Sequence, residues 1–177
     1  MTRDLSAWIE QHAVSSPDRV AIRFEGTEIS YRALHVRIQK TAGFLHNTHG
    51  IGRGDRVAYL GFNTPECVIS LFACARLGAV YLPLNWRLAL PELDHVLGHA
   101  EPKVLITDSP HRESAVGLVN GRSECTLIDC ANVVPASEDS DTTLAESNFG
   151  GDPDVPLLLV YTSGTTGQPK GAVLTQN

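Results

Sequence analysis

The 177-residue sequence predicts an α/β protein built on a mainly parallel sheet, and three observations lead there. Short apolar runs typical of half-buried or buried strands alternate with stretches of helical period. Gly, Pro, Asn and Asp mark the boundaries between them. Between residues 56 and 83 a strand, a helix and a second strand follow one another with short links. That is a βαβ pattern, which favours parallel pairing and a right-handed crossover.

Leu5, Trp8, Ile9 and Ala13 share one face of a first helix, with Asp4 as its N-cap and Pro17 beyond its end. Residues 19–25 alternate polar and apolar, Gly26-Thr27 makes a turn, and residues 28–30 pair back as a short hairpin. Ser30 caps a longer helix whose buried stripe is Tyr31, Leu34, Ile38, Ala42 and Leu45, and Gly50 closes it. After a turn at residues 52–55, residues 56–60 read as a buried strand. Thr64, Pro65 and Glu66 supply a capping hydroxyl, a proline at the first helical position and an acid in the first turn. That helix runs through Cys67, Leu71, Cys74 and Leu77 to Gly78, and residues 79–83 return as a strand. A short helix over 91–99, a strand over 103–107, a weaker helix over 110–119 and a strand over 126–129 continue the alternation. Residues 132–154, rich in Ser, Asp, Glu, Asn, Gly and Pro, are expected to form a long surface connection. Residues 156–161 and 171–175 read as two further strands around a polar glycine loop.

Composition narrows the function. With 42% hydrophobic and 19% charged residues, collagen, coiled coil and wholesale disorder are excluded. Fourteen Lys+Arg against twenty Asp+Glu give a net charge of -6, so there is neither a basic nucleic-acid footprint nor a polybasic membrane segment. An anionic ligand gains nothing from long-range steering and has to be gripped locally. The N-terminus does not lead into a secretory apolar stretch, and the most apolar region, 68–84, is interrupted by Arg76, Gly78 and Pro83, too short to span a bilayer. Four cysteines without a CxxC pair point to reduced thiols and a cytoplasmic protein.

The chemistry concentrates in residues 161–171, Tyr-Thr-Ser-Gly-Thr-Thr-Gly-Gln-Pro-Lys-Gly. Bare backbone at Gly164 and Gly167 can approach a ligand and turn N–H groups inward. Thr162, Ser163, Thr165 and Thr166 can donate to phosphate oxygens, and Lys170 adds a compact positive charge. A Walker loop counted from Gly164 requires Gly at 169, where Pro169 stands without an N–H. A dinucleotide fingerprint from Gly50 and Gly52 requires Gly at 55, where Asp55 stands. Composition alone leaves two readings open, a phosphate loop of another kind or an ordinary polar hairpin turn.

Residues 161–171 resemble the signature loop of the adenylate-forming (AMP-binding) enzymes: acyl-CoA synthetases, peptide-synthetase adenylation domains and luciferases. Ser30-Tyr31, Gly54-Asp55-Arg56-Val57 and residues 78–85, Gly-Ala-Val-Tyr-Leu-Pro-Leu-Asn, resemble further family motifs. The run Asn85-Trp86-Arg87-Leu88 is most similar to fatty acyl-CoA synthetases and related acid–CoA ligases. The resemblance covers nearly the whole chain and is weakest over 108–154.

The resemblance implies a three-layer αβα fold and a two-step reaction. A carboxylate, expected to be a fatty acid, and ATP with Mg2+ give an acyl-adenylate and pyrophosphate; coenzyme A then displaces AMP. By position, Thr162, Ser163, Gly164, Thr165, Thr166, Gly167 and Lys170 would hold the β- and γ-phosphates. It also implies that residues 1–177 are the N-terminal part of the adenylation domain. The base pocket, most of the acyl channel, an acidic metal partner and a late catalytic lysine have no counterpart here, so no complete catalytic set is assigned. The isolated chain is expected not to complete adenylation, because a phosphate grip alone leaves the reactants unaligned. A carrier-protein phosphopantetheine arm as acceptor and a non-catalytic interaction module with an exposed sheet edge after Thr175 stay open. So do a homodimer and peripheral membrane association.

Other candidates favour structural roles. His95 and His99 lack a third partner at metal-site spacing, and no metal site is assigned. His46 and His49 are expected to meet a helix dipole, Cys67 and Cys74 to pack in the core, and Cys125 and Cys130 to flank a strand. Trp86 and Arg87 either border the acyl site or simply pack.

Overall fold

The computed structural model describes residues 5–133, 154–162 and 169–176. Helix α1 (Leu5–Ser15) leads into a two-stranded antiparallel sheet of β1 (Val20–Phe24) and β2 (Thr27–Ser30). The hairpin turns on Glu25 and Gly26, both at positive φ (48° and 79°), rather than on Gly26 and Thr27. Thr27 instead pairs with Phe24. Two successive left-handed residues match the twist of the flanking strands, which is why the turn moves one residue back.

Ser30 caps α2 (Tyr31–His49), its hydroxyl accepting from Ala33 N at 3.2 Å. Gly50 ends that helix in the left-handed region at φ 62°, its N–H satisfying the terminal carbonyls. The expected βαβ unit is β3 (Arg56–Leu60), α3 (Pro65–Leu77) and β4 (Val80–Leu84), with β3 and β4 parallel in register from Arg56↔Val80 to Leu60↔Leu84. Thr64 stands at the start of α3 but makes no capping bond. Its hydroxyl meets Tyr59 Oη at 3.5 Å instead, so Pro65 and Glu66 carry the helix start. The chain continues through α4 (Leu90–Ala100), β5 (Val104–Thr107), a 3-10 turn (Ser109–His111), α5 (Arg112–Val119), β6 (Thr126–Asp129), α6 (Cys130–Val133), β7 (Pro156–Thr162) and β8 (Lys170–Thr175). The single helix expected over 110–119 is thus split, because Asp108 caps a tight turn around Pro110 before α5 begins. Residues 132 and 133, expected in the long connection, are helical; the rest of that segment up to 153 lies outside the described residues.

The main sheet has six strands in the order β6-β5-β3-β4-β7-β8, parallel except for the final antiparallel β7–β8 pair. Alternation along the strands separates two apolar layers. Val57, Tyr59, Tyr81, Val104 and Ile106 join buried residues of α1, α2 and α3 on one face. Ala58, Leu60, Leu82 and Leu105 join buried residues of α4 and α5 on the other. This is the three-layer αβα arrangement. Ile9 is buried in it, whereas Trp8, placed by its period on the inner face of α1, is 52% exposed. After β8, Gln176 ties the layers by accepting from Leu5 N at 3.1 Å and donating to Ala75 O at 3.4 Å. Among the described residues no helix is long and apolar enough to cross a membrane.

One half-buried imidazole is expected to make the fold acid-sensitive. His35 on α2 is held below its ordinary value of 6.5 chiefly by desolvation, which Glu10 opposes and Arg76 reinforces. A histidine with a lowered folded pKa binds fewer protons folded than unfolded. Its contribution is therefore present above the unfolded value and lost as pH falls through 6.5 toward the folded value. The thermal midpoint should fall from about pH 7.5 to about pH 5.5, and His35→Gln should flatten that slope. Identical slopes in the two proteins would place the acid sensitivity on other groups.

Candidate functional site at the carboxyl edge of the sheet

Parallel strands deliver their carboxyl ends to one edge of a sheet, where α/β proteins bind ligands. Here the register sets Leu60 beside Leu84 and beside Thr107, so the chain leaves β3, β4 and β5 at neighbouring points. Strand β7, parallel to β4, ends at the same edge with Thr162. A cavity of about 300 Å³ opens there, its walls including Gly61, Asn63, Asn85, Trp86, Arg87 and Tyr161.

The phosphate-type segment leaves from this edge. Thr162 pairs across the antiparallel ladder with Lys170, and both side chains are exposed. The structure thus brings together two of the seven expected phosphate-binding residues. The other five, Ser163, Gly164, Thr165, Thr166 and Gly167, lie outside the described residues. Gly171 follows Lys170 for a steric reason: a Cβ there would meet Leu159 Cδ1 at 3.0 Å and the Tyr161 ring at 3.2 Å. Tyr161 is itself anchored, its Oη hydrogen-bonded to His99 Nδ1 on α4 at 2.5 Å with the rings edge to face. Burial raises the Tyr161 phenol above its ordinary value, and Arg56 opposes the shift. The phenol therefore stays protonated and holds the start of the loop.

Trp86 and Arg87 do border a cavity, and they do so together. The Arg87 guanidinium lies 4.3 Å over the Trp86 ring, a cation–π pair. Trp86 in turn meets Phe62 (5.1 Å between centroids) and His111 (5.6 Å), and Phe62 meets His111 at 4.8 Å. Beneath this triangle sits Asp108, 7% exposed. Its Oδ2 accepts from Phe62 N at 2.8 Å, and its Oδ1 pairs with His111 N at 3.1 Å and His111 Nδ1 at 2.5 Å. Sequence reading passed over Asp108 and His111 because their partners lie up to 46 positions away. The available signal was an aspartate directly after one buried strand and a glycine directly after another.

The remaining candidates resolve into local roles. His99 turns to Tyr161 rather than to His95. His46 donates from Nδ1 to Ile51 O at 2.9 Å, across the helix end, and His49 packs edge-on to Phe44. All four cysteines are free. Cys74 is fully buried, Cys67 Sγ lies 3.2 Å from Tyr81 Oη, and burial with nearby Asp129 pushes the Cys130 thiol up to about 11. Among the described residues no group of three or more His, Cys, Asp or Glu side chains is placed to hold a metal ion.

Comparison with known proteins accounts for the arrangement. Residues 9–177 match the model of the AMP-binding enzymes. The chain is 40% identical to an indoleacetate–CoA ligase of Aromatoleum aromaticum, over 98% of this chain and 35% of that protein. It is 41% identical to a feruloyl-CoA synthase of Amycolatopsis, over 97% of this chain and 33% of that protein. Its fold superposes on a Mycobacterium tuberculosis fatty acyl CoA synthetase with a TM-score of 0.83 and 28% identity, covering 98% of this chain and 34% of that one. The chain therefore spans about a third of the length of the relatives it matches.

Proposed function

The chain belongs to the AMP-binding enzyme family, and from that premise we propose that it is the N-terminal part of an ATP-dependent carboxylate–CoA ligase. The observation that carries the reading is the cross-strand pairing of Thr162 and Lys170 at the carboxyl edge of the sheet. A carboxylate is a poor acyl donor until one of its oxygens joins a good leaving group. Attack of the carboxylate oxygen on the α-phosphorus expels pyrophosphate and leaves the acyl-adenylate. A thiol then takes the acyl group and releases AMP. Charge builds on the departing pyrophosphate, and the Lys170 ammonium and Thr162 hydroxyl meet it from adjacent positions. The remaining hydroxyls and N–H groups of residues 163–167 complete the grip, and Tyr161, fixed by His99, sets where the loop begins. Mg2+ bound with ATP would supply further charge neutralisation there.

The acid is proposed to carry an aromatic ring, because the relatives at 40% and 41% identity are named for indoleacetate and ferulate. A fatty acid, the expectation drawn from residues 85–88, is the second reading, favoured by the fold likeness to the fatty acyl CoA synthetase. Coenzyme A is the proposed acceptor. The four free cysteines support a cytoplasmic enzyme.

The test is carboxylate-dependent pyrophosphate release by the full-length protein, with indoleacetate, ferulate, octanoate and palmitate each offered with CoA or with a phosphopantetheinylated carrier protein. The expected result is the highest kcat/KM with an aromatic acid and CoA. A preference for palmitate moves the assignment to a fatty acid ligase, and acyl transfer to the carrier alone replaces the acceptor. No release with any acid leaves the interaction module, for which the fully exposed β8 edge is the supporting feature.

A further inference from the structure

We propose that Asp108 is a positioning residue that sets the width of the cavity at the carboxyl edge and, through it, the affinity for an organic substrate of the ligase. The inference rests on the ligase reading for its kinetic consequence and on geometry for everything else.

The carboxylate of Asp108 is buried and takes three donors from two different segments. Through Oδ2 it holds Phe62 N, the first turn of chain after β3. Through Oδ1 it orients the His111 ring, which packs against both Phe62 and Trp86. Trp86 follows β4, lines the cavity and carries Arg87 stacked on its face. One carboxylate thus joins the ends of β3 and β5 directly and the end of β4 through the ring triangle. Thr107 reinforces the joint, its hydroxyl donating to Leu60 O at 3.0 Å. Neither Asp108 nor His111 appears among the cavity walls, so both act through Trp86 and Gly61, which do. Phe62 and Trp86 are 42% and 36% exposed, and the carboxylate substitutes for the packing that would otherwise hold them. What meets such a wall is the uncharged organic part of a substrate, of either the acid or the thiol, rather than the triphosphate held at Thr162 and Lys170.

Two variants of the full-length protein test this. Asp108→Asn removes the charge and leaves only one good acceptor for two segments. His111→Gln keeps the Asp108–Phe62 bond and removes only the ring. Each is expected to raise KM for either the acid or CoA by about tenfold, the loss of roughly one charge-assisted hydrogen bond of support, with kcat and the KM for ATP changed less than about twofold. A merely structural role would lower the active fraction, so kcat would fall with every KM unchanged; that result overturns the proposal, as does a rise confined to ATP. If Asp108→Asn does not fold, His111→Gln decides alone. A second readout needs no activity. The Trp86 contribution to the emission, isolated as the difference between each protein and its Trp86→Phe counterpart, reports the triangle directly. Both variants should move that emission to the red, and an unmoved band overturns the coupling. Failure of wild-type protein to turn over any acid would refute the ligase reading, while the emission shift would still establish the wall.

Discussion

In the full-length protein, Lys170→Ala is expected to lower carboxylate-dependent ATP–pyrophosphate exchange by about a hundredfold or more, the usual loss when one preorganised donor to developing charge is removed. The size follows from the charge balance of the chain. With a net charge of -6, residues 1–177 offer a polyphosphate no general attraction, so each cation near the loop counts heavily. Thr162→Val, which keeps the shape and β-propensity of its strand, should cost about tenfold, as for one hydrogen bond to a charged group. Because Thr162 and Lys170 are cross-strand neighbours, the double variant should lose less than the product of the two single losses. Lys103→Ala is the control. Lys103 lies just before β5, at the amino edge of the sheet, and is paired with Asp55 at 2.8 Å. Its removal takes away the same formal charge far from the loop and should leave exchange within about twofold, as exposed pairs contribute little. Equal losses at Lys103 and Lys170 would mean that net charge, not the hairpin, governs the reaction, and the proposed phosphate site would have to be abandoned.

How far the sequence could be read depended on the range of the physics involved. Strand β3 begins and ends where its apolar run does, at Arg56–Leu60, because a buried parallel strand is a continuous hydrophobic segment between turn residues. Ser30, Gly50 and Gly78 act at the helix ends where they were expected, since capping is decided within four residues. Trp8 and Thr64 show the limit of such local rules. Helical period puts Trp8 on the inner face, but Leu5 and Ile9 are the residues of α1 that pack into the core, and the indole stays outside. Thr64 had a competing partner in Tyr59, five positions back across the β3–α3 link and so outside the reach of a capping pattern. The site divides in the same way. Thr162 and Lys170 are eight positions apart in a hairpin and were legible from residue types alone, aided by family resemblance. Asp108 and Phe62 come together only through the β3–β5 register, which no short pattern encodes.

That register also fixes the largest expected stability effect. Gly61→Ala should destabilise the protein by about 1–3 kcal/mol, in the range for overpacking a filled interior. A Cβ at position 61 would lie 2.8 Å from Asp108 Oδ2, 2.9 Å from its Cγ and 3.0 Å from Tyr59 Cε1. The neighbours cannot simply step aside. Asp108 is held by Phe62 N and by two nitrogens of His111, so moving it strands a buried carboxylate, and Tyr59 is packed in the core beside Tyr81. Gly52→Ala supplies the comparison: nothing lies within 4 Å of a Cβ there, and its midpoint in urea should change little. The cycle between Gly61→Ala and Asp108→Ala isolates the cause. Truncating Asp108 removes two of the three close atoms, so the double variant should be more stable than the sum of the single losses predicts, by about 1 kcal/mol or more for residues in direct contact. Strict additivity would mean that the strain is relieved elsewhere, with Gly61 chosen for something other than its approach to Asp108. The same cycle links stability to binding, because the carboxylate that makes alanine costly at 61 is the one proposed to hold the cavity's aromatic wall in place.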